Sequence, residues 1–226
     1  MDEEYKERIY KIFENNGLSK EEKDDLFYII KKIVIHPEFI KRMNRVFITK
    51  TKKPLGEQIL DDACITYLLC KGKRKVNVSV AVKIAMFHDL YPVKSKNVKK
   101  RKISKFKNKH GFRHPIEAVI NAYSWYPELF PNNLETKMII DGIIHHMFPL
   151  PVTKVRNFKI NANELNNFED TKNLPRYIID DIVESTNRGA LINFSLSRSK
   201  YKEGRIQYEA ERIMDRKNRR IKYSKR

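Results

Sequence analysis

Apolar residues recur at spacings of three and four along most of this chain, with charged residues between them. Ala81, Ile84, Ala85 and His88 share one face at that spacing, as do Ile139, Ile143 and His146, and Ile206, Ala210 and Ile213. This is the period of an amphipathic α-helix. Helix punctuation falls between the runs. In GLSKEEKDDLFYIIKKIV, Gly17 follows one run, and Ser19 and Glu22 open the next in capping-box spacing. Pro37 and Pro54 mark further helix starts, since proline is tolerated in a first turn and disruptive later. The pattern predicts helices near 4–16, 19–35, 37–47, 54–70, 77–90, 115–126, 132–147, 174–194 and 199–221. Period-2 alternation is short wherever it occurs, and no Asn-Gly or Asp-Gly turn joins two such runs. The expected fold class is all-α.

At 226 residues the chain can bury a sizeable core without disulfides or a structural metal. With 41% hydrophobic and 33% charged residues and only 7 glycines, it suits a compact, helix-rich protein. The expected organisation is N-terminal helices over 1–36, a central domain over 37–194 and a basic C-terminal helix or tail over 195–226. Two long excursions interrupt the helices. Residues 91–115, YPVKSKNVKKRKISKFKNKHGFRHP, are densely basic without an acid, and 151–173 are rich in Asn. Loops of such length inside a domain are usually functional or disordered. Cys64 and Cys70 form no C-x-x-C pair and read as reduced core residues. No apolar run approaches the roughly 18 residues of a membrane span, so a soluble, cytoplasmic protein is expected.

Charge narrows the partners. Lys and Arg number 47 against 28 Asp and Glu, a formal net charge of +19 with pI near 9.8. Such a field attracts nucleotides, nucleic acid and anionic surfaces, although Lys-rich composition alone also produces it. Aromatic residues among the cations would supply stacking on nucleic acid. Phe106, Phe112, Tyr123, Trp125 and Tyr126 are so placed, although aromatics at such spacing are more often core or lid packing. The chain after Asp215 is strongly basic, either a solvated helix end or an arm whose binding weakens with salt.

The candidate chemistry lies in FHDLYP, HGFRHPIEAVINA and MIIDGIIHHMFPLP. Five of the six histidines fall between 88 and 146: His88, His110, His114, His145 and His146. A lone histidine on an apolar helix face is more often a hydrogen-bonded core residue than a ligand. Asp89 beside His88 changes the balance, because a core has no use for a carboxylate. Imidazole with carboxylate suits Fe, Mn, Zn or Ni.

These three segments, in this order, resemble the HD-domain superfamily of metal-dependent phosphohydrolases, in particular small bacterial members patterned HD, GF-HP---A--NA, I--HM-PL. The resemblance covers roughly residues 37–192. It implies an all-helical bundle around one or two divalent transition-metal ions and hydrolysis of a phosphate ester, commonly a nucleotide, by metal-activated water. His88 and Asp89 match the namesake pair, with Asp89 the expected bridging carboxylate, and His114 and His146 match the added ligands. His145 has no assigned role.

Two positions depart from the pattern. Gln58 stands where the family carries an upstream histidine, and Asn187 where it closes with an aspartate. Amides offer only a neutral carbonyl oxygen to a cation. Another register takes His36 as the first histidine and Asp180 or Asp181 as the closing acid. Arg113, Lys94 and Lys96 flank the pattern and are the candidates for contacting substrate phosphate, with solvated surface charge the alternative. Two functions follow as expectations: a working phosphohydrolase, or a catalytically silent HD domain that binds a nucleotide or nucleic acid.

Overall fold

The computed structural model describes residues 1–44, 53–90, 110–146, 162–165, 168, 171–189 and 199–224. Among them are ten α-helices and no strand, as the sequence pattern predicts. They are α1 (Glu3–Asn15), α2 (Lys20–Val34), α3 (Pro37–Asn44), α4 (Leu55–Cys70), α5 (Val78–Phe87), α6 (His110–Trp125), α7 (Leu134–His145), α8 (Ala162–Leu165), α9 (Arg176–Gly189) and α10 (Lys202–Ser224). Short 3-10 turns occupy Pro127–Leu129 and Thr171–Asn173.

The chain divides into two compact units, one of residues 1–86 and 206–226, the other of 87–205. In the first, α1 to α4 bury Ile9, Phe13, Leu26, Ile30, Phe39 and Ile59 completely. The local signals that build these helices are in place. Ser19 and Glu22 complete both halves of a capping box at the start of α2. Gly17 takes φ +81°, a conformation that costs glycine little, and ends α1. At Gly56 an added Cβ would meet the Met43 Sδ at 2.7 Å and its backbone N at 2.9 Å, so α4 approaches α3 closely only because that side chain is missing. Arg8 fastens α1 to both, donating to Glu57 Oε1 at 2.8 Å and to the Met43 carbonyl at 2.8 Å. Cys64 and Cys70 are buried and free, and Cys70 packs with Ala81 and Ile206.

In the second unit α7 lies between α6 and α9. Phe87 packs its ring against Tyr126 at 5.5 Å and Phe130 at 5.3 Å between centroids, and the Tyr177 hydroxyl donates to the Phe130 carbonyl at 2.7 Å. Buried Asp141, on α7, accepts through Oδ2 from the Ser199 hydroxyl at 2.7 Å and the Lys200 backbone N–H at 2.9 Å.

Two expectations change. A helix was expected to begin at Pro115, yet α6 begins at His110 and carries Pro115 inside it, with His114 one residue before. Proline inside a helix lacks the N–H that would bond the Gly111 carbonyl, and its ring presses on that carbonyl. The buried face formed by His114, Ile116, Ala118 and Val119 offsets the cost. Within the Asn-rich excursion, α8 is a single turn, anchored by buried Leu165.

Candidate metal centre

Three elements of the second unit present the site. Asp89 lies with His88 in the turn directly after α5, closed by the Leu90 N–H on the Phe87 carbonyl at 3.1 Å. His114 comes from the second turn of α6. His146 is the C-cap of α7, whose opposite end is capped by Asn133 accepting from the Thr136 N–H at 3.0 Å. Helix ends and turns are where the side chains of sequence neighbours can converge without breaking an intrahelical ladder.

The Asp89, His114 and His146 donor atoms all lie within 4.8 Å of one another, the one such group among the described residues. His114 Nε2 is 2.9 Å from Asp89 Oδ1, 3.1 Å from His146 Nε2 and 3.1 Å from the His88 carbonyl. His146 Nδ1 sits 2.6 Å from the Ile143 carbonyl. A carbonyl only accepts, so Nδ1 carries the hydrogen and Nε2 turns its lone pair inward. His114 Nε2 is then surrounded by acceptors and carries the hydrogen they share. Without that hydrogen, three lone pairs converge.

Two of the three separations match those between ligands of one cation. Donors about 2.0–2.2 Å from one ion stand roughly 2.8–3.6 Å apart in tetrahedral or octahedral geometry. The separations of 2.9 Å and 3.1 Å fall in that range.

Electrostatics favour the same use. Burial works to raise the Asp89 carboxyl, but His88 and the other two imidazoles outweigh it and hold the group far below the usual carboxylate range. Burial, then the neighbouring His114 and His88, push His146 well below the ordinary histidine value. An ionised carboxylate beside a neutral imidazole is the protonation state a divalent transition metal requires.

The remaining candidates are placed differently. His88 is buried with its ring edge-on to His146 at 5.0 Å, and its Nε2 is 3.5 Å from Asp89 Oδ2; it is not part of the converging group. Gln58 is half-buried on α4 in the first unit, and Asn187 half-buried on α9 in the second. His36 Nδ1 accepts the Glu38 N–H at 3.2 Å at the start of α3. Asp180 pairs with Arg176 at 2.9 Å, and Asp181 with Lys137 at 3.6 Å. Arg113 donates to Glu117 Oε1 at 2.9 Å and lies over the Phe168 ring at 5.2 Å, so its charge already has a carboxylate partner. Lys94, Lys96 and Phe106 lie outside the described residues, as does the Phe112 side chain. Tyr126 is a core residue, 1% exposed.

Asp141 orients His145, to which the sequence pattern assigns no role. Its backbone carbonyl accepts from His145 Nδ1 at 2.8 Å, and its Oδ1 lies 3.4 Å from the same nitrogen. His145 is thereby turned onto its own helix. The signal was an acid in an apolar run, four residues before a histidine.

The fold and these donors define an all-α protein with an imidazole–carboxylate centre able to hold a metal ion. No protein-family model, no curated protein and no solved structure matches this chain.

Proposed function

We propose that this chain is a metal-dependent phosphohydrolase of the HD-domain type, acting on a nucleotide or related phosphate ester. The observation that carries the proposal is the convergence of donor atoms of Asp89, His114 and His146 within 4.8 Å of one another, with His114 Nε2 2.9 Å from Asp89 Oδ1 and 3.1 Å from His146 Nε2. A divalent ion bound there supplies a nucleophilic water near neutral pH and Lewis-acid polarisation of a phosphoryl oxygen. The chain's own part is to hold the centre in the right state. Asp89 contributes the one negative charge of the converging group, His146 is fixed in one tautomer by the Ile143 carbonyl, and the His88 carbonyl aligns His114. The net charge of +19 favours an anionic substrate. No membrane-crossing helix occurs among the described residues.

The test is hydrolysis of a panel of nucleotides and phosphate esters by protein loaded with Fe, Mn, Ni or Zn. Turnover that needs metal and falls at least about 100-fold in His114→Ala is the expected result. Metal-loaded protein without turnover on any member of the panel points to the second reading, a silent domain that binds nucleotide or nucleic acid. Amides at Gln58 and Asn187 are the observation in favour of that reading. Under the hydrolase reading, Asn187→Asp raises metal content and turnover together; under the binding reading, His88→Ala and His146→Ala leave nucleotide binding unchanged.

A further inference from the structure

We infer that the first unit carries a docking surface for duplex nucleic acid, made by the turn between α4 and α5 and by the outer face of α10, and that it grips phosphates without reading bases. The inference goes beyond the hydrolase reading and does not rest on it, because none of these residues belongs to the candidate metal centre.

The turn is KGKRK, residues 71–75, exposed throughout. Lys71 pairs with Glu22, while Lys73, Arg74 and Lys75 meet no carboxylate among the described residues. The turn is held at both ends. The Lys73 N–H donates to the Cys70 carbonyl at 2.9 Å, and the Asn77 side chain caps α5 by accepting from the Val80 N–H at 3.1 Å. Leu69, Val76 and Val78 pack on Cys70, Ala81 and Ile206. Lys75 takes φ +63°, a left-handed conformation that costs an L side chain more than it costs a glycine such as Gly72, at φ +76°. Backbone strain of this kind gathers at binding sites, where the surroundings over-determine it. Cations on an ordered turn lose less entropy on binding than cations on a loose one. The N-terminus of α5 follows directly and adds potential of the same sign.

α10 supplies a second group. Ile206, Ala210 and Met214 are buried, whereas Arg212 and Arg216 are exposed. In helical register Arg212, Arg216, Arg219 and Arg220 fall on one side, opposite Ile206, Ala210 and Met214. Residues 216–224 hold five Lys or Arg and no acid. Arginine predominates on that side, and its planar fork matches phosphate oxygens in pairs.

The surroundings of these cations select the partner. A helix that lies on a membrane turns an apolar face to the lipid, but the apolar face of α10 is buried in its own unit. Single strands are held by stacking bases on exposed aromatic rings. Tyr208, one turn before Arg212, is half-buried, with that guanidinium 5.9 Å from its ring centre. What remains is contact with phosphates, which a duplex presents most densely, at one charge per about 1.7 Å of axis.

The experiment is fluorescence anisotropy of a labelled DNA duplex of about 20 base pairs, in two unrelated sequences, with the full chain at several salt concentrations. Lys73, Arg74, Lys75, Arg212 and Arg216 neutralising about five phosphates give a plot of log K against log salt with slope about −4.5, roughly a 20-fold loss of affinity for each doubling of salt. Both sequences should bind alike. Replacing Lys73, Arg74 and Lys75 together with Gln should flatten the slope by about 3, and Arg212→Gln with Arg216→Gln by about 2. Lys20, Lys31 and Lys32, exposed on α2 of the same unit, provide the control: changing all three to Gln removes equal charge and should move the slope by less than about 1. Lys75→Gly removes strain and charge together, so the unfolding midpoint should not fall while the slope flattens by about 1. Circular dichroism checks each variant, and Arg74→Gln or Arg216→Gln alone replaces any that fails to fold. An effect of the α2 control equal to that of the turn variant would make the binding diffuse net charge and overturn the surface. An unchanged slope in either designed variant would remove that element from it. Tighter binding to a single strand of the same length, or to vesicles of phosphatidylserine and phosphatidylcholine at equal phosphate, would overturn the duplex assignment. Loss of binding in folded His114→Ala would place the nucleic acid at the metal centre and overturn the inference, and so would no binding at low salt.

Discussion

Asp89 and Asp181 are the same residue in opposite circumstances. Burial penalises the charge of both, but Asp89 faces three imidazoles that hold it ionised, whereas Asp181 has its pKa raised by burial, with Lys137 opposing and Glu184 and Asp180 adding to the rise. The Lys137 amine lies 3.6 Å from Asp181 Oδ1, and Oδ2 meets no hydrogen-bond donor among the described residues. An acid whose folded-state pKa is raised leaves stability intact below its unfolded pKa, about 3.9, and costs stability as pH rises through the folded value. At neutral pH ionised Asp181 is therefore a net cost. Asp181→Asn should stabilise the fold at pH 7 by on the order of 1 kcal/mol, the low end of what an unsatisfied buried polar atom costs. The gain should fade as pH is lowered below about 4, where the wild-type acid is itself neutral. Denaturant unfolding at both pH values measures it; a stability loss at pH 7 would show that the Lys137 pair outweighs desolvation.

At the scale of elements, Pro115 separates what the chain's pattern reveals from what it hides. Capping signals are local, so Ser19 with Glu22 and Pro37 mark the starts of α2 and α3 correctly. Pro115 carries the same signal and misleads, because α6 extends back to His110. Proline's preference for a first turn is a matter of a few kcal/mol, and tertiary burial of His114 and its neighbours is enough to override it. The donors of the candidate centre were legible because His88-Asp89, His114 and His146 are rare residue types at apolar helix ends. The convergence of Asp89, His114 and His146 was not, since it depends on distances between segments 25 or more positions apart. The Arg113–Glu117 pair could have been read from its i, i+4 spacing. The helix makes a prediction of its own. Pro115→Ala restores a backbone bond to the Gly111 carbonyl, relieving a cost of about 3 kcal/mol, while removing the buried ring loses about 2 kcal/mol. A net stabilisation of about 1 kcal/mol in urea unfolding is expected. A destabilised variant would mean that the ring's packing next to His114 contributes more than the missing hydrogen bond.

For the whole molecule the dominant quantity is an excess of 19 positive charges on 226 residues. The described ion pairs, such as Arg8 with Glu57 and Arg176 with Asp180, join neighbours in α1 with α4 and within α9, and are partly exposed, so each contributes little. They also cannot cancel the excess, because every pair uses one charge of each sign. The uncancelled cations repel one another across the surface, and repulsion opposes the compact state. Added salt shortens the range of that repulsion from about 30 Å at 0.01 M to about 8 Å at 0.15 M. The melting temperature should therefore rise over this interval, by about 2–4 °C if screening is worth 1 kcal/mol for a chain of this size. A fall in melting temperature would mean that attractive pairs dominate the surface. The anion separates two causes of a rise. Screening depends on ionic strength, so chloride and sulfate at equal ionic strength act alike, whereas a further saturable rise with inorganic phosphate, lost in His114→Ala, identifies binding at the candidate centre. A rise with phosphate that survives that substitution places the anion on the basic surface, and the search for a partner then turns to polyanions whose binding weakens steeply with salt.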